Sequence, residues 1–451
     1  TAYRRQRQMC IRDRYYDKLL SKVNSKLYKD FILLNFEVKN ELPSIIKAEQ
    51  LFQKDKCDNQ EDFCYDIICI DICPATGNLL LSKVHSYDNE KRYLNIPLNG
   101  AYFRDLDGIR LTYSDAVNEL TNIIESSNKS VSREVTSTIA TSEDRKGWWH
   151  NRYDLDKKLG NLLQKIEKSW FGGFKSFFSH KKINETHFKE FVITFYEILH
   201  RNLPSRKNMG RPNSFLQLED WVLELFLNLD PSHGEFLSMV EDLMYFIFDI
   251  LLYHGEENAY DEIDTSVLHF EIEDAIRKYH SQCGLGVKKR VQHTFLVVGS
   301  RSHMFPWESM SFMKELSISR VPSIQSLNEI IKRNHGEARI NVQIKSNIAM
   351  ILNPGSDLGR TEDRFSEALT TISNNSPGST LSIREKPSEQ YFLSMIQHAN
   401  LFIYVGHGGG EQYIRNSEIK KQEILSPSFL LGCSSATMKD YGDLGSTGLM
   451  Y

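Results

Sequence analysis

Two residues carry the chemistry that this sequence suggests. His407 stands in Leu401-Phe-Ile-Tyr-Val-Gly-His-Gly-Gly-Gly410, and Cys433 stands in Phe429-Leu-Leu-Gly-Cys-Ser-Ser435. Each follows an apolar run that reads as a buried strand, and each has glycine beside it. Cysteine is the nucleophile that needs least activation, and histidine moves protons near neutral pH. Together they suit acyl transfer: the thiolate attacks a peptide carbonyl and His407 protonates the leaving amine. The backbone N–H groups of Gly408 and Cys433 are the expected oxyanion donors, and glycine lets the backbone approach a substrate closely. Taken singly, a histidine or cysteine after a strand is more often structural. The joint pattern of two strand ends is what gives the pair weight.

Competing chemistries fail on detail. A phosphatase loop wants arginine six residues after the cysteine, but position 439 is lysine, which cannot grip phosphate bidentately. The sequence contains neither GxxxxGK[ST] nor GxSxG, so a nucleotide-binding P-loop and a nucleophile elbow are not indicated. No pair of CxxC motifs suggests structural zinc, and Glu256–Asp264 lacks the glycine of a calcium loop. Neither metal nor cofactor is expected.

A strand-end pair needs a sheet to hold it. After residue 290, short apolar runs at Thr294–Val298, Ile348–Leu352, Leu401–Val405 and Ser428–Leu431 alternate with helical patterns at Thr361–Ile372, capped by Thr361, and at Ser388–His398. That alternation predicts a parallel sheet covered on both faces. Functional groups of such a sheet collect beyond the carboxyl ends of its strands. If the two strands are parallel neighbours, His407 and Cys433 emerge on one edge. Asp357, in the loop after Asn353-Pro-Gly355, either lines the cleft or serves as a turn or cap residue. Glu411 and Tyr413 either shape the pocket or anchor the helix that follows.

Further upstream, Asp66–Cys73, Leu79–Val84 and Tyr93–Leu98 read as strands, the first two joined by a turn at Pro74–Asn78. Cys69 and Cys73 share one strand face and read as core thiols. Helices dominate 113–285. Two stripes, Leu155-Leu159-Leu162-Leu163-Ile166-Trp170 and Val240-Leu243-Met244-Ile247-Phe248-Leu251-Leu252, follow helical spacing. The Ser- and Thr-rich stretch Ser126–Ser142 reads as a flexible loop, and Trp170 and Trp307 as core. Residues 15–60 read as a helical segment. Residues 1–14, with five arginines, read as an adaptor-derived or disordered tail.

Composition supports a globular protein: 451 residues, 40% hydrophobic and 25% charged, with a net charge of -4. That balance points to neither nucleic acid nor a membrane surface as partner, and the basic run Lys288-Lys289-Arg290 is short. The most apolar stretch, Leu243–Leu252, is interrupted by Asp249, so no span and no signal-peptide core is expected. Seven cysteines in so long a chain fit free thiols in a reducing compartment, nucleus or cytoplasm.

The paired His-Gly and Gly-Cys blocks resemble those of the caspase-like proteases. Further blocks narrow the resemblance to the separases, of fungal type. These are Tyr404-Val-Gly-His-Gly-Gly-Gly-Glu-Gln-Tyr413, Leu430-Leu-Gly-Cys-Ser-Ser435, Asn353-Pro354 with Asp357-Leu358 and Thr361, and Phe305-Pro-Trp-Glu308 with Ser319-Arg-Val-Pro-Ser323. Trp148-Trp149, Leu155-Asp156, Trp170-Phe-Gly-Gly173, His254-Gly-Glu256 and Asn258-Ala-Tyr-Asp-Glu-Ile263 are similar as well. The resemblance implies a caspase-like α/β fold, a mostly parallel sheet flanked by helices. A pseudo-protease domain at 61–335 with an all-α insertion at 113–285 would precede the active protease domain at 336–451. It implies a cysteine endopeptidase that cleaves the kleisin subunit of cohesin after arginine, with an acidic residue three positions earlier, and that is inhibited by securin. A protease-like scaffold that binds securin without turnover is the alternative. The separase protease domain continues beyond the equivalent of Tyr451, so an incomplete arginine pocket is expected. No Glu-x-x-Arg self-cleavage pattern occurs in the chain.

Overall fold

The computed structural model describes residues 65–85, 91–98, 111–181, 183–207, 216–256, 262–283, 293–314, 316–327, 346–422, 425–437, 439–440 and 446–447. The tail at 1–14, the helical segment at 15–60 and the boundary expected between 335 and 336 lie outside these. The chain divides into two compact units that part between Val321 and Pro322.

The first unit is built on a five-stranded sheet: β1 (Tyr65–Ile72), β2 (Leu79–His85), β3 (Lys91–Ile96), β4 (His293–Val298) and β5 (Ser317–Val321), in the order β3-β2-β1-β4-β5. This sheet is mixed, with two antiparallel and two parallel pairs. The turn after β1 is closed by hydrogen bonds from the Cys73 N–H to the Asn78 carbonyl and from the Gly77 N–H to the Cys73 carbonyl, with Gly77 at φ 71°. So short a link admits only antiparallel pairing, and β1, β2 and β3 form a meander. The pairs β1–β4 and β4–β5 are parallel. Ile68, Ile70 and Ile72 of β1 face the core, whereas Cys69 on the opposite face and Cys73 beyond the strand are only half-buried. Burial still pushes the Cys69 thiol up to about 11.

Between β3 and β4 lie the helices α1 (Tyr113–Ser130), α2 (Ser142–Ile166), α3 (Glu185–Asn202), α4 (Asp220–Leu227), α5 (Phe236–Tyr253) and α6 (Thr265–Cys283). Thr112 with Asp115, and Thr141 with Asp144, form capping boxes that satisfy the first N–H groups of α1 and α2. The expected loop at Ser126–Ser142 is corrected to the last turn of α1, a helical turn at Arg133–Thr136 and a short link. Two of its serines, Ser127 and Ser130, serve as hydrogen-bond acceptors rather than linker residues. Arg152 donates to Ser127 and Ser130, and Trp148 donates to the Ser130 carbonyl. Both apolar stripes face the core, and Trp170 and Trp307 are fully buried with their indole N–H groups bonded to the Leu111 and Ser302 carbonyls. Gly173 lies so near the Met239 carbonyl of α5 that a Cβ would stand 2.3 Å from its oxygen, and Gly172 before it has φ 46°, which together account for the Gly-Gly pair after Trp170-Phe171.

This unit also buries a charge cluster. Asp66 is fully buried, with Lys83 Nζ at 3.1 Å, His180 Nδ1 at 3.2 Å and His85 Nδ1 at 2.5 Å. Burial alone would raise the Asp66 carboxyl. Hydrogen bonds from His180 and His85 and the Lys83 charge outweigh it and hold the group well below the usual carboxylate range.

The second unit has a wholly parallel sheet: β6 (Ile348–Leu352), β7 (Thr380–Ile383), β8 (Leu401–Val405) and β9 (Ser428–Leu431), ordered β7-β6-β8-β9. Both faces of its central strands β6 and β8 are covered, as their continuous apolar runs require, whereas the edge strand β9 leaves Phe429 and Leu431 exposed. Ala349, Ile351, Phe402 and Tyr404 pack with Phe392, Met395 and Ile396 of α8 (Glu389–His398). Met350, Leu352, Ile403 and Val405 pack with Leu369 of α7 (Gly359–Asn375) on the other face. The helix α7 begins before Thr361, the expected cap. Asn353 at the end of β6 takes the N–H groups of Asp357 and Leu358 with its side-chain oxygen, so the chain is ordered for helix two residues earlier. Both units thus show sheets flanked by helices, the mixed α/β architecture expected of a caspase-like fold.

Candidate active site

The strands β8 and β9 are parallel neighbours in a register that pairs Val405 with Leu431. His407 and Cys433 each lie two residues beyond that pair, so both leave the sheet at the same level of its carboxyl edge. The loops that carry them touch. A Cβ on Gly432 would stand 2.0 Å from the Gly408 carbonyl oxygen and 2.7 Å from that of Gly406. Only glycine allows this approach. The cysteine loop is also tied to its own strand, since the Ser435 hydroxyl donates to the carbonyls of Leu430 and Gly432. Both His407 and Cys433 are exposed.

Asp357 reaches the same edge from the loop after β6, which pairs with β8 on its other side. Its Oδ2 lies 2.9 Å from His407 Nε2, with both side chains about half exposed at 56% and 53%. The structure places this aspartate beside His407. The loop is held by Asn353, a buried residue at φ 50°. Its Nδ2 donates to Glu362, which is also paired with Arg384. Those two hydrogen bonds hold the Glu362 carboxyl below its ordinary range.

The glycine loop after His407 is folded by residues on its far side. Gly408 and Gly410 have φ of 59° and 100°, which glycine alone adopts readily. Glu411 accepts the Gly409 N–H at 2.7 Å, so this residue, one of the expected cleft groups, closes its own loop. Tyr413 packs on Phe392, ring centroids 6.5 Å apart, and so anchors the loop to α8. The carbonyl of His407 accepts from the Tyr404 hydroxyl at 2.8 Å and from Gln412 Nε2 at 3.1 Å. Burial pushes the Tyr404 phenol far above its ordinary value, so it stays a donor.

Tyr404, Gln412 and Asn353 stand in the blocks that carry the resemblance, but nothing in the sequence assigns them these contacts. The single usable hint is a tyrosine, with its polar tip, inside an otherwise aliphatic strand. Among the described residues no group of three His, Cys, Asp or Glu could hold a metal ion.

Comparison with known proteins places this geometry in a family. The model of the separin protease domain matches residues 74–451. The separin of Saccharomyces cerevisiae is 48% identical over 436 residues, covering 97% of this chain and 27% of that protein. The separin of Emericella nidulans is 33% identical over 386 residues, 84% of this chain and 18% of that protein. A crystal structure of the Saccharomyces cerevisiae separase-securin complex superposes with a TM-score of 0.82 at 46% identity, covering 97% of this chain and 28% of the matched one. The chain thus spans about a quarter of the length of its Saccharomyces relative. With the strand-end histidine and cysteine on one sheet edge and the family match running through both, the chain belongs to the separin family.

Proposed function

We propose that this chain carries the proteolytic centre of a cysteine endopeptidase that cleaves the kleisin subunit of cohesin after arginine and so triggers sister-chromatid separation. The observation that carries this reading is the Val405–Leu431 register, which delivers His407 and Cys433 to one edge. Asp357, at 2.9 Å, takes the His407 Nε2–H and leaves Nδ1 as the nitrogen for proton transfer. Nδ1 receives the thiol proton and the thiolate attacks the peptide carbonyl carbon. The resulting oxyanion is held by the N–H groups of Gly408 and Cys433. As the tetrahedral intermediate collapses, His407 protonates the departing amine, and a water then hydrolyses the thioester.

On this reading the first unit is a protease-like domain without a nucleophile. The substrate carries an acidic residue three positions before the arginine, and the protein works in nucleus and cytoplasm. Securin is the proposed inhibitor, in keeping with the solved yeast separase-securin complex that this chain resembles.

Cys433→Ala in the intact protein is expected to lower cleavage of an arginine-containing kleisin peptide by at least about a thousandfold. An arginine acyloxymethyl ketone is expected to label Cys433. Unchanged turnover in the variant refutes the proposal. Securin binding without labelling favours the second reading, a non-catalytic scaffold, which the same resemblance to a securin complex supports.

A further inference from the structure

Among the described residues, the peptide unit between His407 and Gly408 is held through its carbonyl. Its carbonyl accepts from the Tyr404 hydroxyl and from Gln412 Nε2, and Gln412 Nε2 also donates to the Tyr404 oxygen at 3.0 Å. The three groups form a closed triangle under the loop. Tyr404 is a fully buried strand residue, so the triangle stands on the sheet. It also accounts for Gly406, where a Cβ would lie 2.6 Å from the Tyr404 hydroxyl oxygen.

A trans peptide is planar, with its C=O and N–H pointing in opposite directions. Fixing the His407 carbonyl toward Tyr404 and Gln412 therefore aims the Gly408 N–H away from them. The next peptide is committed differently. Its Gly408 carbonyl abuts Gly432, and its Gly409 N–H is given to Glu411. A donor aimed before the reaction begins needs no reorganisation as charge develops on the substrate oxygen.

We propose that Tyr404 and Gln412 are positioning residues that set the His407–Gly408 peptide plane and so aim the Gly408 N–H at the oxyanion. This rests on the reading of His407 and Cys433 as a protease pair. Neither side chain touches substrate; both act through one carbonyl.

The test compares Tyr404→Phe and Gln412→Leu in the intact protein. Gln412 is exposed, so its replacement does not threaten folding. Removing an oxyanion donor outright lowers turnover by about 10²–10³-fold, and misaiming one is expected to lower kcat by about tenfold, with KM within about twofold. A peptide aldehyde ending in arginine adds the Cys433 thiol across its carbonyl and uses the same donor. Its inhibition constant is expected to weaken by the same factor as kcat. Alkylation of Cys433 by iodoacetamide displaces iodide, forms no oxyanion and is expected to keep its rate. Unchanged kcat and aldehyde affinity in both variants overturn the proposal. A parallel fall in the iodoacetamide rate also overturns it, because it shows general disturbance of the site. These results stand apart from the test of the protease reading: turnover surviving Cys433→Ala brings down both, whereas turnover lost there but intact in both positioning variants brings down only this one.

Discussion

The two sheets repeat one arrangement and use it differently. In the first, β1, β4 and β5 run parallel side by side; in the second, β6, β8 and β9 do. The central strand of each ends in Val-Gly: Val298-Gly299-Ser300 in one and Val405-Gly406-His407 in the other. The registers also correspond, since Ile70 pairs with Val298 and Leu352 with Val405. One residue further on, Asp71 lies against Gly299, so that a Cβ there would sit 2.1 Å from its carboxyl carbon. The equivalent residue in the second sheet is Asn353. Asp71 only accepts, and takes the N–H of Ile72 beside it. Asn353 accepts from Asp357 and Leu358 and donates to Glu362, so it can organise a loop in both directions. The scaffold is therefore not what makes a site. The residue after the glycine and the side chain that shapes the neighbouring loop decide whether a strand end can do chemistry.

Charge is handled oppositely too. The first unit seals Asp66, Lys83, His85 and His180 inside, whereas the second holds Asp357 and His407 at a half-exposed edge. The largest effect that separates the two is expected from Asp66→Asn. It leaves Lys83 buried without its counter-ion and should destabilise the protein by about 3–5 kcal/mol, read as a fall in the urea midpoint. The pH dependence follows from the depressed folded-state pKa of Asp66. A group depressed on folding binds fewer protons folded than unfolded, so its contribution is full above its unfolded value near ~4 and fades as pH falls below it. The variant should lose that acid dependence. An unaltered midpoint and pH profile would break the contrast at its root.

Asp357→Asn should act on the second sheet in the opposite sense, with little change in stability because exposed ion pairs contribute about 0–1 kcal/mol. Turnover should fall by about 10- to 100-fold, less than the ~10⁴-fold seen for a buried triad aspartate, because solvent screens a pair that is half exposed. Steady-state kinetics on an arginine peptide measures this, and a wild-type kcat would remove Asp357 from the site. Smallest of all is Ser300→Ala. It replaces the residue that stands where the second sheet has histidine and should leave kcat within about twofold. A larger loss would mean that the first sheet edge takes part in the chemistry.

Much of this was legible in the residues. The runs Ile348–Leu352 and Leu401–Val405 form strands within the bounds their pattern predicts, because a strand buried on both faces must be apolar throughout; Ser428–Leu431 also forms its expected strand, but at the sheet edge with Phe429 and Leu431 exposed. The helical stripes were legible for the same reason, with Leu155, Leu162 and Ile166 buried on one face. The serines of 126–130 misled because a polar side chain on a helix looks the same in sequence whether it faces water or accepts from Arg152 and Trp148. The start of α7 misled because the two N–H groups just before it, those of Asp357 and Leu358, are taken by Asn353 at the end of β6, a contact that no local capping pattern shows.

The sequence by itself determined which residues could react and that each would stand at a strand end, since apolar runs, glycines and side-chain chemistry are local properties. It left open whether Asp357 was a turn residue or a neighbour of His407, and whether Glu411 shaped a pocket or closed a loop. Only the tertiary structure decided those, together with the triangle of Tyr404, Gln412 and the His407 carbonyl. Each depends on strand register and loop path, through which residues distant in the chain come within hydrogen-bond reach. Pairing Val405 with Leu431 and Leu352 with Val405 assembles three separate loops into one edge, and no local pattern specifies that register.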